Sequence, residues 1–210
     1  MDLTVLLIAM KIILTNIWKR YNAGWVIKDF SNIIDPQEII ALKGANGSGK
    51  STLLHLISGY LPLSKGDIAY KLGGKNVSHN DIYNYCSISA AYAELDEELS
   101  IRELFSHYRL YKPFIINDFD AFIEFSMFQR EKDKIIKTFS SGMKQRLNLA
   151  MVLNFDVPLL LLDEPGSFLD KEKKSWFADN FNRFTEGKTV LIASNEESDL
   201  HFCNRTIELN

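Results

Sequence analysis

Cysteine and histidine are scarce in this chain of 210 residues. It contains two cysteines, Cys86 and Cys203, which lie far apart, and four histidines that form no cluster. Neither set has the spacing of metal ligands, so the sequence predicts no metal site built on thiolate or imidazole. The two thiols are expected to be reduced core residues, which is typical of a cytoplasmic protein.

An excess of charge of one sign is also missing. The formal net charge is −3 at pH 7, from 24 Lys and Arg against 27 Asp and Glu. Without an overall basic field, the composition argues against nucleic acid as a partner. Hydrophobic residues make up 46% of the chain, which is enough for a core. The length predicts a single domain over residues 1–210, or one core with a smaller inserted lobe.

No hydrophobic run is long enough to be read as a membrane span. The apolar segment from Leu3 to Met10 follows Asp2 and is interrupted by Lys11. It is too short to cross a bilayer and lacks the basic start of a signal peptide. Residues 1–9 are therefore interpreted as a possible start-site extension, and a transport function would need a pore supplied by another chain.

A phosphate-binding pattern is present between residues 44 and 51, which read G-x-x-x-x-G-K-[ST]. Apolar residues 39–42 predict a buried strand before it, and an amphipathic run ending at Gly59 predicts a helix after it. In this context backbone N–H groups turn inward around phosphate oxygens, and the helix N-terminus faces them. The alternative is a glycine-rich turn that binds nothing, but Lys-Ser after the last glycine has no packing purpose there.

Each residue of this loop has an expected role in nucleotide binding. Lys50 is expected to reach the β- and γ-phosphates and to act in catalysis, and the Ser51 hydroxyl to hold Mg²⁺. The other loop residues expected to surround the nucleotide are Gly44, Asn46, Gly47, Ser48, Gly49 and Thr52. An aromatic residue upstream is suited to stacking on adenine. Tyr21 and Trp25 both qualify, and either is equally well an ordinary strand aromatic.

A second motif follows the four leucines 159–162, which predict a central strand buried on both faces. Asp163 and Glu164 come directly after it, at the end of the strand where open α/β sheets bind their ligands. Asp163 is expected to hold Mg²⁺ and its water shell, and Glu164 to orient or deprotonate an attacking water. The alternative is two acids that end a strand by chance.

The remaining segments predict further elements of an α/β fold. Residues 11–17 read as an edge strand, and residues 95–138 have the helical spacing of a small lobe, within which residues 131–134 read as a solvated helix face. Ser140, Ser141 and Gly142 open another helix. Taken alone, this Ser-Ser-Gly cluster is more typical of a helix cap than of an anion site.

Together these motifs resemble the nucleotide-binding subunit of ATP-binding cassette (ABC) transporters, over residues 10–209. Residues 44–52 are similar to the family's Walker A motif and residues 159–164 to its Walker B motif. Residues 139–143, followed by Gln-Arg, resemble the signature motif, with Phe and Met in place of the usual Leu and Gln. Residues 167–170 resemble the D-loop.

The resemblance implies a P-loop NTPase core with a mostly parallel sheet, an N-terminal antiparallel β subdomain and a helical subdomain near residues 95–138. It also implies a homodimer in which each ATP, with Mg²⁺, lies between one Walker A motif and the partner's signature motif. Ser140 and Gly142 would then contact that nucleotide, and Tyr21 falls where the family keeps its adenine-stacking aromatic. The implied activity is Mg-dependent ATP hydrolysis that powers a separate transmembrane permease from the inner face of the cell membrane.

Two departures from the family pattern affect the expected rate. Ala91 stands where a glutamine normally senses Mg²⁺ and the membrane partner, with Glu94 as a possible substitute. Asn195 occupies the position at which the family has its switch histidine. Asparagine can donate a hydrogen bond to the γ-phosphate but cannot accept and carry a proton near neutral pH. The sequence therefore predicts an active but slow ATPase with Asn195 in a catalytic role.

Two other functions compete with transport. The first is an ATP-gated mechanical or interaction module at the cell envelope, which Ala91 favours slightly. The second is a soluble ABC ATPase that acts on nucleic acid or ribosomes. Such proteins usually carry two cassettes or long inserted arms, and this sequence has neither.

Overall fold

The computed structural model describes residues 9–89 and 95–209. Ala91, Glu94 and residues 1–8 lie outside these described residues, so the expectations about them stay predictions. In chain order the strands are β1 (Met10–Tyr21), β2 (Gly24–Ile34), β3 (Ile39–Lys43), β4 (Lys65–Leu72), β5 (Lys75–Val77), β6 (Cys86–Ser89), β7 (Leu159–Asp163), β8 (Thr189–Ala193) and β9 (Arg205–Glu208). The α-helices are α1 (Lys50–Ile57), α2 (Ile101–Tyr108), α3 (Phe119–Ser126), α4 (Ser141–Asn154), α5 (Lys171–Thr185) and α6 (Glu197–Leu200).

A five-stranded sheet of order β6-β7-β8-β3-β9 forms the centre of the molecule, and all of its strand pairs are parallel. Every residue of β7 and of β8 is buried, as expected for strands covered on both faces. Since parallel strands end at one edge of a sheet, the segments that follow β3, β7 and β8 meet there. This edge positions the candidate site.

A second, antiparallel sheet has the order β2-β1-β4-β5. β1 pairs with β2 on one side and β4 on the other, so the prediction that residues 11–17 form an edge strand is wrong. The apolar side chains of β1, such as Ile12 and Ile17, share a core with Leu53 and Leu56 of α1. The helix that follows the phosphate loop therefore contributes to a core that both sheets share, since Leu161 of β7 and Leu191 of β8 belong to the same cluster.

Three helices, α2, α3 and α4, lie between β6 and β7 in the chain. α2 begins with a capping box, in which the Ser100 hydroxyl accepts the Glu103 N–H while the Glu103 carboxylate accepts the Ser100 N–H. The prediction of a helix face at residues 131–134 is wrong, because these residues form turns. None of the helices within residues 9–89 and 95–209 combines the length and the apolarity that a membrane crossing requires.

Candidate active site

The phosphate loop is tightly wound between β3 and α1. Gly49 precedes the first helical residue with φ 100°, a left-handed conformation that favours glycine. At Gly44 a side chain has no room, because an added Cβ would lie 2.4 Å from Ser48 Oγ and 2.5 Å from the carbonyl oxygen of Leu209. The tip of the loop, including Asn46 and Gly47, is exposed. The loop is thus closed at its base and open where phosphates would enter.

Lys50 folds back into this loop. Its Nζ donates to the carbonyl oxygens of Gly44 at 2.8 Å and Ala45 at 3.3 Å, and the side chain is 7% exposed. Ser48 Oγ is buried and has no hydrogen-bond partner in the part of the chain that the structure describes. An ammonium that is held by two carbonyls retains a third N–H for a phosphate oxygen. The loop therefore brings a cation and an unused hydroxyl to the same place, while Ser51 and Thr52 follow on α1.

Asp163 ends β7 as a buried carboxylate whose Oδ1 has no hydrogen-bond partner among residues 9–89 and 95–209. Burial raises the pKa of this carboxyl, whereas the Ser51 hydroxyl and the charges of His55 and Lys50 lower it by less. An unpaired carboxylate oxygen in a buried setting is costly without a further partner. Carboxylate and hydroxyl oxygens are ligands that Mg²⁺ prefers, so Asp163 and Ser51 fit this ion.

Glu164 is held in a strained turn directly after Asp163. Its φ is 49°, which is uncommon for a residue with a side chain, and its N–H donates to the Ala193 carbonyl at 2.8 Å. The Ser167 hydroxyl donates to Glu164 Oε2 at 3.3 Å. Strain of this kind clusters at functional sites, where the surrounding structure holds it.

Asn195 follows β8 by two residues and reaches the phosphate loop. Its Nδ2 lies 3.5 Å from Oδ1 of Asn46, and the residue is exposed. The sheet edge therefore brings together the predicted residues Lys50, Asp163, Glu164 and Asn195, which come from three different parts of the chain.

The predicted signature residues lie elsewhere. Ser140 caps α4 by accepting the Met143 N–H at 3.3 Å, and its hydroxyl is exposed. Among the described residues, no hydrogen bond joins residues 139–143 to the phosphate loop. Gly142 packs instead on the turn after β7, where an added Cβ would lie 2.7 Å from the Phe168 carbonyl oxygen.

Phe139, at the position of the family's usual leucine, is accommodated by an aromatic stack. Its ring lies parallel to that of Phe128, with 5.4 Å between centroids. The guanidinium of Arg146 in turn lies 4.1 Å from the centroid of Phe128. The stack ties the start of the signature segment to the first turns of α4.

Tyr21 and Trp25 lie on opposite faces of the antiparallel sheet. Trp25 is paired with Arg20 and packs edge-on against Trp18, with 5.2 Å between ring centroids. Tyr21 shares the other face with Lys19, which is paired with Ile27. Val26 and Ile27 both reach the phosphate loop, with their Cγ1 atoms 3.0 Å and 3.3 Å from the position of a Cβ on Gly49, and Ile27 is buried in the core on the face of Lys19. Tyr21 therefore belongs to the face that packs on the loop.

Sequence reasoning missed Asp199, and it included Gln145 only in the signature resemblance, without the contact that this side chain makes. Gln145 donates through Nε2 to the Pro165 carbonyl at 3.3 Å, and Asp199 accepts hydrogen bonds from Ser194 and Gly166. These contacts join segments that are far apart in the chain or lie in irregular turns. No spacing rule marks them, so only the folded chain identifies them.

A family model described as ABC transporter matches residues 27–167. The chain belongs to the ABC transporter ATP-binding family. Among its relatives is the teichoic acids export ATP-binding protein TagH of Lactococcus lactis subsp. lactis (strain IL1403), 32% identical over 89% of this chain and 39% of the relative. Another is the Nod factor export ATP-binding protein I of Rhizobium johnstonii, 30% identical over 91% of this chain and 64% of the relative. The chain thus spans less than two thirds of the length of these curated relatives.

Solved structures of ABC proteins have the same fold. An ATP-binding subunit of an ABC transporter superposes with a TM-score of 0.82 at 21% identity, covering 95% of this chain and 85% of that chain. A dimeric ATP-binding cassette in a post-hydrolysis state, bound to ADP and Pi, superposes with a TM-score of 0.81 at 20% identity, covering 95% and 94%. These neighbours confirm the predicted ABC fold.

Proposed function

We propose that the chain is a single nucleotide-binding domain that hydrolyses ATP, dimerises around two Mg-ATP and powers a separate transmembrane permease. The observation that carries the proposal is the meeting of Lys50, Asp163, Glu164 and Asn195 at one edge of the parallel sheet. Phosphoryl transfer depends on positioning and charge stabilisation, and these four side chains offer a cation, a metal ligand, a base and a hydrogen-bond donor.

Each side chain has its own part in the proposed reaction. Lys50 donates to the β- and γ-phosphate oxygens from its position in the loop. Glu164, steadied by the Ser167 hydroxyl at 3.3 Å, orients the attacking water and accepts its proton. Ser51 and Asp163 would hold Mg²⁺, which would supply positive charge to the phosphate oxygens when bound.

Asn195 is the reason to expect slow turnover. Its amide donates to the γ-phosphate, but it cannot take up a proton as a histidine can. A whole transition-state donor is worth about 3 kcal/mol, or about a hundredfold in rate, which sets an upper limit on the cost of the missing proton acceptor.

A second copy of the chain completes the site in this proposal. Ser140 and Gly142 make no hydrogen bond to the phosphate loop of their own chain within the described residues. The exposed Ser140 hydroxyl is free to approach a nucleotide bound by the other copy. The dimeric cassette among the structural neighbours supports this arrangement.

The permease is proposed from the family, since the relatives include proteins named for export of teichoic acids and of Nod factor. In such a role the domain works at the cytoplasmic face of the membrane. The alternative, an ATP-gated mechanical module, shares the nucleotide site and differs in lacking a transported solute. Co-purification with a multi-span membrane protein supports the transport role.

The first test is steady-state Mg-ATP hydrolysis by the purified chain over a range of protein concentrations. We expect a slow rate that rises faster than linearly with concentration, because two copies build each site. Glu164→Gln should abolish turnover and leave ATP binding intact. Glu124→Gln, an exposed glutamate of α3, is the matched control and should not change the rate. Tight ATP binding without wild-type turnover would refute hydrolysis by the isolated chain and favour the ATP-gated module.

A further inference from the structure

Asp199 is a buried carboxylate that none of the sequence motifs includes. It is the third residue of the four-residue helix α6 and is 2% exposed. Its Oδ2 accepts two hydrogen bonds, from the Ser194 hydroxyl at 2.7 Å and from the Gly166 N–H at 3.3 Å. One oxygen atom thus bridges two segments that are separated by 27 residues of chain, between positions 167 and 193.

The two segments carry two of the proposed catalytic groups. Ser194 immediately precedes Asn195, and Gly166 lies two residues after Glu164 in the same turn, which is closed by the Ser167 N–H donating to the Glu164 carbonyl at 3.0 Å. The Glu164 N–H also donates to Ala193 at 2.8 Å. A displacement of either segment relative to the other would therefore change the spacing between Glu164 and Asn195.

The turn is fitted closely to the carboxylate. A Cβ added to Gly166 would lie 2.3 Å from Asp199 Oδ1, so no other residue is accommodated there without movement. Burial raises the pKa of Asp199, and the hydrogen bonds from Ser194 and Gly166 lower it by less. Burial alone disfavours the charged form of this carboxyl group. The two hydrogen bonds that offset this cost come from the two segments that Asp199 joins.

We propose that Asp199 is a positioning residue for ATP hydrolysis, which holds Gly166 and Ser194 together and so fixes the spacing of Glu164 and Asn195. The inference rests on the proposed ATPase function. Catalytic groups need placement to within a fraction of an ångström, and supporting hydrogen bonds supply it. Among the described residues, Asp199 makes no hydrogen bond to the phosphate loop, so it acts on the reaction and not on nucleotide binding.

The test compares two matched serine variants. Ser194 and Ser126 are both fully buried, and each hydroxyl donates a hydrogen bond of 2.7 Å, to Asp199 and to the Phe122 carbonyl respectively. Ser194 Oγ also accepts the Glu196 N–H at 3.0 Å, and Ser126 Oγ lies 3.4 Å from the Ile123 carbonyl oxygen. Ser194→Ala removes half of the bridge together with the acceptor of the Glu196 N–H, whereas Ser126→Ala removes a buried hydroxyl of comparable bonding in α3. Asp199→Ala and Asp199→Asn complete the set, since asparagine retains one oxygen acceptor. All assays are run below the lowest melting temperature of the set.

We expect kcat to fall about tenfold in Ser194→Ala and further in Asp199→Ala, with Asp199→Asn between wild type and Asp199→Ala. The KM for ATP and the affinity for a fluorescent ATP analogue should stay within about twofold of wild type, because the bridge does not touch the nucleotide. Ser126→Ala should match wild type. Amide hydrogen exchange should accelerate at residues 164–168 in Ser194→Ala and not in Ser126→Ala.

Two outcomes would overturn the positioning role. One is wild-type turnover that Ser194→Ala and Asp199→Ala leave unchanged. The other is equal loss of kcat in Ser194→Ala and Ser126→Ala, which would indicate a general effect of a lost buried hydrogen bond. Absence of turnover in the wild type would instead refute the proposed ATPase, and the positioning role with it.

Discussion

The side-chain amides of Asn195 and Asn46 face each other, with Nδ2 of the first 3.5 Å from Oδ1 of the second. The contact joins the end of β8 to the tip of the phosphate loop across 149 residues of sequence. A phosphate seated in the loop would lie next to this amide. Asn195 is therefore the residue whose replacement tests the proposed reaction most directly.

Asn195→His is expected to raise ATP turnover, by up to about a hundredfold, because an imidazole both donates to the γ-phosphate and carries a proton. The measurement is kcat for Mg-ATP in wild type and variant, at pH values on either side of 6.5. Asn195→Ala is the control for loss of the donor and should be slower than wild type. A histidine variant that is no faster than wild type would contradict the assignment of Asn195.

Tyr21→Ala is expected to weaken ATP binding by about tenfold, since stacking of a base on an aromatic ring is worth about 1–3 kcal/mol. Trp25→Ala is the matched control. Its ring lies on the opposite face of the sheet, beside Trp18, and its loss should change ATP affinity by less than about twofold. Equilibrium titration with a fluorescent ATP analogue measures both. The reverse order of effects would assign the stacking role to Trp25.

Asp163→Asn is expected to stabilise the metal-free protein at pH 7 by about 1 kcal/mol, because it removes a buried charge with an unpaired oxygen. Burial raises the folded-state pKa of Asp163 above the unfolded value of about 3.9. The folded state then binds more protons between the two values, so this contribution to stability falls as the pH rises through that window. The Asp163→Asn variant should not show this loss of stability with rising pH.

Thermal unfolding of wild type and Asp163→Asn from pH 4 to pH 7.5 checks this prediction. The stability difference should grow with pH, and added Mg-ATP should raise the melting temperature of the wild type more than that of the variant. Asp67→Asn, at an exposed position of β4, is the control and should show neither change. A less stable Asp163→Asn at neutral pH, without metal, would refute the unpaired-charge argument.

Gly142→Ala is expected to destabilise the protein, although alanine is worth about 1 kcal/mol more than glycine in a helix. Its Cβ would lie 2.7 Å from the Phe168 carbonyl oxygen, a backbone atom that must move. The net loss should be about 1–3 kcal/mol, measured by chemical denaturation. Ser141→Ala, at the exposed first position of α4, is the control and should change stability by less than about 0.5 kcal/mol. A more stable Gly142→Ala would contradict the close approach of α4 to the turn.

The fold was predictable because its signals are local. Four leucines predict the buried strand β7, and a glycine loop between an apolar strand and a helix predicts the phosphate site. The mixed fold class is confirmed by the structural neighbours. The position of β1 was not predictable, because strand order depends on pairing with β4, which lies more than 40 residues away. The alternation of apolar residues predicts which face of a strand is buried, but it does not predict which strands lie beside it.

The individual residues of the candidate site were predictable from the sequence, but the hydrogen bonds and contacts that join its segments were not. Motif spacing identifies Lys50, Asp163 and Glu164, and the parallel sheet explains why they meet. The roles of the predicted site residues remain predictions. Asp199 escaped notice because an acid in a short polar helix is typical of a surface, and only the fold shows that it is buried against Gly166.

The place of β3 in the sheet also governs how the chain folds during synthesis. Its two hydrogen-bonded neighbours, β8 and β9, begin at residues 189 and 205, so β3 stays unpaired in this sheet until those segments have left the ribosome. Such pairings between distant segments form slowly and leave apolar strands open to aggregation. Nucleotide capture consequently follows the synthesis of β8 and β9, and chaperones that shield nascent chains should be needed most before these two strands pair with β3.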